Sequence, residues 1–143
     1  MIKTEKIQST WKSGMRIDNQ AGDHTLIIDQ PANMSGKNEG PNPILYLLVA
    51  LGGCLGTVAA IMARQERIDL REFSIEIEGD YDMDFLLGKT TQGRAGLTEI
   101  REKVSIDADL NDEEKAEFFE KVHARCPVTD SLLSQTQINY QVK

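Results

Sequence analysis

Cysteine is scarce in this chain, with two among 143 residues, Cys54 and Cys126. Two thiols cannot build the multi-bridge framework of a small secreted domain, and no Cys-x-x-Cys or paired-histidine spacing is present. Basic residues are outnumbered, 16 Lys and Arg against 23 Asp and Glu, and the net charge of -7 repels phosphate backbones and anionic bilayers. No nucleic-acid or membrane partner is expected. The opening MIKTEKIQST has neither an apolar stretch nor a small-residue cleavage site, which predicts a cytoplasmic protein with reduced thiols. Aromatic residues make up only 6% of the chain.

What is present fits one domain, 1–143, with one core, since apolar residues are 40% of the total. PILYLLVALGGCLGTVAAIMA, from Pro43 through Ala63, carries no charge and is long enough to span a bilayer. Gly52 and Gly56 even have the small-xxx-small spacing of packed membrane helices. Neither flank holds the basic cluster that fixes orientation, however, and the other segments are amphipathic and need a shared soluble core. A central helix covered on all sides is therefore predicted, running to about Arg67. So apolar a run, in a chain with few aromatics to cover it, predicts an obligate homodimer.

The remaining segments supply the cover. KIQSTWKSGMRID and HTLIID alternate in short stretches broken at Ser13-Gly14 and Ala21-Gly22-Asp23, the pattern of a strand meander. SGKNEGPNP is a loop, and Pro43 suits the first turn of the helix. In REFSIEIEGDYD, Phe73, Ile75 and Ile77 alternate with acids, as in a half-buried strand. LTEIREKVSIDADL repeats this less regularly with Ile100, Val104 and Ile106. FLLGKTTQGRAG, between them, is Gly-rich without a period and is expected to form a mobile hairpin tip. TQINYQVK closes the chain as an alternating strand.

LNDEEKAEFFEKVHARC predicts a helix with Asn111 as N-cap, Glu114 completing a capping box, and Phe118, Phe119, Val122 and Cys126 on one face. Pro127 stops it. CPVTDSLLSQ can begin another, with Pro127 at its first position and Cys126 as its cap. Backbone N–H groups there point at the sulfur, and a thiolate at Cys126 gains from the helix dipole.

Taken together, GPNPILYLLVALGGCLG and ARCPVTDSLLSQTQINYQVK resemble the OsmC/Ohr family of thiol-dependent peroxidases. The resemblance rests on a cysteine some ten residues after Asn-Pro, joined by a second in Cys-Pro-Val-Thr. It implies an α+β, OsmC-like fold: a strand-exchanged homodimer with antiparallel sheets around two central helices. Gly52, Gly53 and Gly56 would then let those helices approach closely around Cys54.

The resemblance also implies an activity: a cysteine-based, antioxidant, stress-response peroxidase that reduces organic hydroperoxides. Cys54 would attack the peroxide and become a sulfenic acid, and Cys126 would condense with it into a disulfide. A lipoyl- or thioredoxin-type thiol reductant would reopen the bridge. No cofactor or metal is implied. His123 and Cys126 on one helical face do not make a closed ligand set, and His24 is a plain strand residue.

Burial raises a thiol pKa, so Cys54 needs a cation to ionise at neutral pH. Family members use an arginine of the N-terminal meander held by a glutamate just after Asn-Pro, and Arg16 is nearest to that arginine in position. The glutamate is absent: Ile44 and Leu45 occupy its place, and Glu39 in the preceding loop is the available substitute. Two readings follow, a peroxidase with altered activation or a module that binds a small apolar or electrophilic ligand in the same pocket.

Overall fold

The computed structural model describes residues 1–143. The elements are β1 (Ile7–Ser13), β2 (Arg16–Ala21), β3 (His24–Ile28), a 3-10 turn (Ala32–Met34), α1 (Pro43–Glu66), β4 (Glu72–Asp80), α2 (Met83–Leu86), β5 (Glu99–Asp107), α3 (Asp112–Arg125) and α4 (Pro127–Leu133). This is an α+β arrangement with two antiparallel sheets. The chain divides into two compact units, Met1–Leu47 and Leu48–Lys143.

In the first unit β1, β2 and β3 form a meander with Ile7 opposite Ala21 and Ile17 opposite Ile28. Its two turns are those expected at Gly14 and Gly22, both in the left-handed region that glycine adopts without strain. Beyond β3 the loop is organised by Asp29, only 2% exposed. Its carboxylate accepts from the backbone N–H groups of Gln30 (2.8 Å), Lys37 (3.0 Å) and Glu39 (3.1 Å). Gly36 and Gly40 lie so close to the carbonyls of Gln30 and Ile27 that a Cβ at either would collide with backbone. The Asn42 side chain accepts from Leu45 N–H at 2.9 Å, and Pro43 opens α1, so the Asn-Pro pair starts the helix as its chemistry demands.

In the second unit α1 buries Leu51, Leu55, Val58, Ala59, Met62 and Ala63 against Phe118 and Val122 of α3 and the inward side chains of β4 and β5. The two strands pair with Phe73 opposite Ile106, Ile75 opposite Val104 and Ile77 opposite Glu102. A Cβ on Gly52 would stand 3.3 Å from Ile77 Cδ1 and 3.7 Å from Ile75 Cγ2, and one on Gly56 would stand 3.8 Å from Phe73. These two glycines therefore let α1 lie down on β4 of its own chain. Of the three expected between paired helices, only Gly53 faces open space.

Three further differences from the sequence reading have physical causes. The helix is not covered on all sides within one chain: Leu45, Val49 and Ile61 remain 50%, 65% and 45% exposed, because one two-stranded sheet and one helix cover one face. TQINYQVK is not a strand; residues 135–143 are irregular and exposed, since no strand of this chain supplies a ladder for their backbone groups. The segment after β4 begins with the single helical turn α2, capped by Asp82, whose carboxylate accepts from Asp84 and Phe85 N–H.

Candidate functional site

Cys54 sits in the middle of α1, where Leu51 and Leu55 on either side are buried and Cys54 itself is partly exposed. Cys126 lies at the joint between α3 and α4, 1% exposed. Pro127 forces that joint: Cys126 leaves the helical region (φ -79°, ψ 113°) and becomes both the C-cap of α3 and the N-cap of α4. Its N–H donates to His123 O at 3.3 Å, and its Sγ accepts Thr129 N–H at 3.4 Å.

The joint brings the two sulfurs together. Cys54 Sγ and Cys126 Sγ are hydrogen-bonded at 2.8 Å across 72 positions of sequence, and both are free cysteines. Their electrostatics diverge. Burial pushes the Cys54 thiol up, and its hydrogen bond with Cys126 pushes it further. Burial acts upward on Cys126 too, but its contacts with Cys54 and with the Thr129 and Val128 N–H groups outweigh it and hold the thiol below its ordinary value.

Beside the pair lies a cavity of about 190 Å³ lined by Leu51, Ile100, Glu102, His123, Thr129, Leu132 and Leu133. Its walls include the residue one turn before Cys54 and those one turn either side of Cys126. Glu102 occupies the inward row of β5 between Ile100 and Val104, and its carboxylate meets His123 Nε2 at 3.3 Å. The Thr129 hydroxyl, buried, has no hydrogen-bond partner. The sequence reading missed Glu102 and Thr129. The signal for Glu102 was an acid in the apolar row; Thr129 stood in the Cys-Pro-Val-Thr motif but was given no role of its own.

Arg16 belongs to the first unit, at the start of β2. Its guanidinium donates to Asp18 Oδ1 at 2.7 Å and to Glu39 Oε2 at 3.0 Å. Both carboxylates raise its pKa, Asp18 most. Glu39 thus holds the arginine from the loop, reached through the N–H it donates to Asp29. His24 is exposed on β3, and no three His, Cys, Asp or Glu side chains converge as a metal site.

An antiparallel α+β fold that seats two free cysteines side by side, one on a long apolar helix and one in Cys-Pro, defines a dithiol protein. The chain belongs to the OsmC-like protein family, whose pattern matches residues 36–141. It is 32% identical over 117 residues to a hydroperoxide reductase of Mycoplasma genitalium, covering 80% of this chain and 79% of that protein. It is 28% identical over 131 residues to a hydroperoxide reductase of Mycoplasma pneumoniae, covering 87% and 89%. The crystal structure of an OsmC-like protein from Mycoplasma pneumoniae superposes with a TM-score of 0.81 at 23% identity, covering 93% of this chain and 89% of that one.

Proposed function

We propose that this protein is a thiol-dependent peroxidase for organic hydroperoxides, with Cys54 and Cys126 as its redox pair. The observation that carries the reading is the 2.8 Å approach of the two sulfurs, which lets a disulfide form with little movement of either helix. The hydroperoxide reductase names of the two Mycoplasma relatives support it. Cys54 as thiolate attacks the terminal peroxide oxygen; the O–O bond breaks, an alcohol leaves and Cys54 carries a sulfenic acid. The Cys126 sulfur displaces that hydroxyl as water and the disulfide closes. A dithiol reductant of lipoyl or thioredoxin type reopens it by exchange. The apolar part of the cavity wall suits an alkyl or aryl body, which gains about 25 cal/mol per Å² on leaving water.

Arg16 is assigned as the cation that favours the Cys54 thiolate, on the family pattern, with Glu39 in place of the missing acid at Ile44. The working form is assigned as a cytoplasmic homodimer with exchanged strands. Exposed Leu45, Val49 and Ile61 on α1, and the irregular 135–143 segment with exposed Ile138, Tyr140 and Val142, support the homodimer: one chain leaves both a helix face and an apolar C-terminal segment uncovered. The test is consumption of cumene hydroperoxide with dihydrolipoamide as reductant. Cys54→Ser should abolish turnover, and Cys126→Ser should permit at most one turnover per chain. Full activity in Cys54→Ser refutes the assignment and favours the ligand-binding module.

A further inference from the structure

Glu102 is the one acid in the inward row of β5, where Ile100, Val104 and Ile106 are its companions and Ile77 of β4 stands opposite. Its side chain is only 16% exposed, and its charged partner is His123 Nε2 at 3.3 Å. That ring is itself held, edge-on to Phe119 with centroids 5.7 Å apart. A carboxylate so far out of water is costly unless its oxygens are engaged, and one imidazole takes one of roughly four acceptor positions. A valine would continue the row without that cost. The sheet therefore does not explain the acid.

The cavity beside the dithiol does. Its volume is about 190 Å³, with Leu51, Ile100, Leu132 and Leu133 as an apolar wall and Glu102 and His123 as a polar one. A cavity of about 150 Å³ accepts a benzene ring, so this one suits the body of a single-ring or short branched hydroperoxide. Leu132 and Leu133 are exposed at its rim, which leaves a way in from solvent. Leu51 lies one turn before Cys54, and a body seated here lies against the two sulfurs.

We infer that Glu102, fixed by His123, is a specificity-determining residue: the cavity selects hydroperoxides whose apolar body carries a hydroxyl or N–H donor, and turns away those that carry a carboxylate. This names the substrate class of the peroxidase reading and rests on it. A donor on the substrate meets a charged acceptor in a setting poor in water, where such a hydrogen bond is strong. A plain hydrocarbon body strips water from the carboxylate and gives nothing back. An acid meets a like charge at close range, in a chain whose net charge is already -7.

Two measurements on the reduced, full-length protein test this. The first is binding, followed by the methyl resonances of Leu132 and Leu133, of three probes that share one ring: isopropylbenzene, 4-isopropylbenzyl alcohol and 4-isopropylbenzoate. The wild type should bind the alcohol about 10-fold more tightly than the hydrocarbon, and the acid most weakly. Glu102→Val should bring the alcohol down to the hydrocarbon. Glu102→Gln, which keeps an acceptor and loses the charge, should retain part of the alcohol preference and admit the acid. Equal binding of the three by the wild type, tightest binding of the acid, or an alcohol preference that survives Glu102→Val overturns the inference. The second is the single-turnover rate of Cys54 oxidation by cumene hydroperoxide and by its para-hydroxymethyl derivative. The derivative should be about 10-fold faster in the wild type and no faster in Glu102→Val; equal rates in the wild type overturn the inference. A Cys54 that neither hydroperoxide oxidises refutes the peroxidase reading instead, and the order of binding then still decides what Glu102 selects.

Discussion

The carboxylate of Glu102 and the imidazole of His123 meet at 3.3 Å between β5 and α3, on the wall of the cavity beside the two cysteines. An acid there interrupts an apolar row, directly across the sheet from Ile77. Because the imidazole keeps about a third of its surface in solvent, the pair contributes little to stability, on the order of 1 kcal/mol. Glu102→Val, which continues the row, should therefore leave thermal stability unchanged or raised. A double-mutant cycle with His123→Phe should give a coupling no larger than that figure; several kcal/mol would show the pair to be structural.

Gly53 is the glycine of α1 with open space where a side chain would stand. Within a single chain Gly53→Ala should stabilise the helix by about 1 kcal/mol, since glycine is a poor helix former. If a second α1 packs on that face, Gly53→Leu should instead shift the protein from dimer to monomer at micromolar concentration. Sedimentation distinguishes the two outcomes, and an unaltered dimer in Gly53→Leu would remove Gly53 from the interface.

Glu39 holds Arg16 at 3.0 Å. If Arg16 supports the Cys54 thiolate, Glu39→Gln should slow Cys54 oxidation several-fold at neutral pH and move its pH profile upward. Arg16→Ala should do the same more strongly, and Glu39→Gln should add nothing in that background. Oxidation rates that ignore both substitutions would take Arg16 out of the mechanism.

Much of this arrangement was legible in the chain because it is local. Asn42-Pro43 starts α1; the alternation of Phe73, Ile75 and Ile77 is β4; Asn111 and Glu114 form the capping box; Cys126-Pro127 ends one helix and caps the next. What was not legible depends on distant partners. Alternation in TQINYQVK says that a strand would suit it, but no strand of this chain pairs with it. The spacing of Gly52 and Gly56 says that something approaches closely, and the approaching element is β4. Glu39 reaches Arg16 across 23 positions only because Asp29 ties down the intervening loop, a set of backbone hydrogen bonds with no residue pattern of its own.

That carboxylate gives a pH-dependent signature. Backbone N–H groups, Glu39 first and then Gln30 and Lys37, hold Asp29 below the usual carboxylate range. A folded-state pKa below the unfolded one means stabilisation present above the unfolded value, about 3.9, and lost as pH falls through the folded value. Thermal melts should therefore fall more steeply below about pH 4 in the wild type than in Asp29→Asn, and Asp29→Asn should melt lower at neutral pH. Parallel curves would mean that the loop does not depend on the ionised acid.

The central claim is that Cys54 and Cys126 form one redox pair. Its most direct test is to add a stoichiometric amount of cumene hydroperoxide to the reduced protein and determine by mass spectrometry the state of each thiol. The account predicts loss of both free thiols, a mass lower by two hydrogens, and a single peptide pair joined through Cys54 and Cys126 within one chain. Both thiols still reduced, or oxidation confined to Cys126, would contradict it.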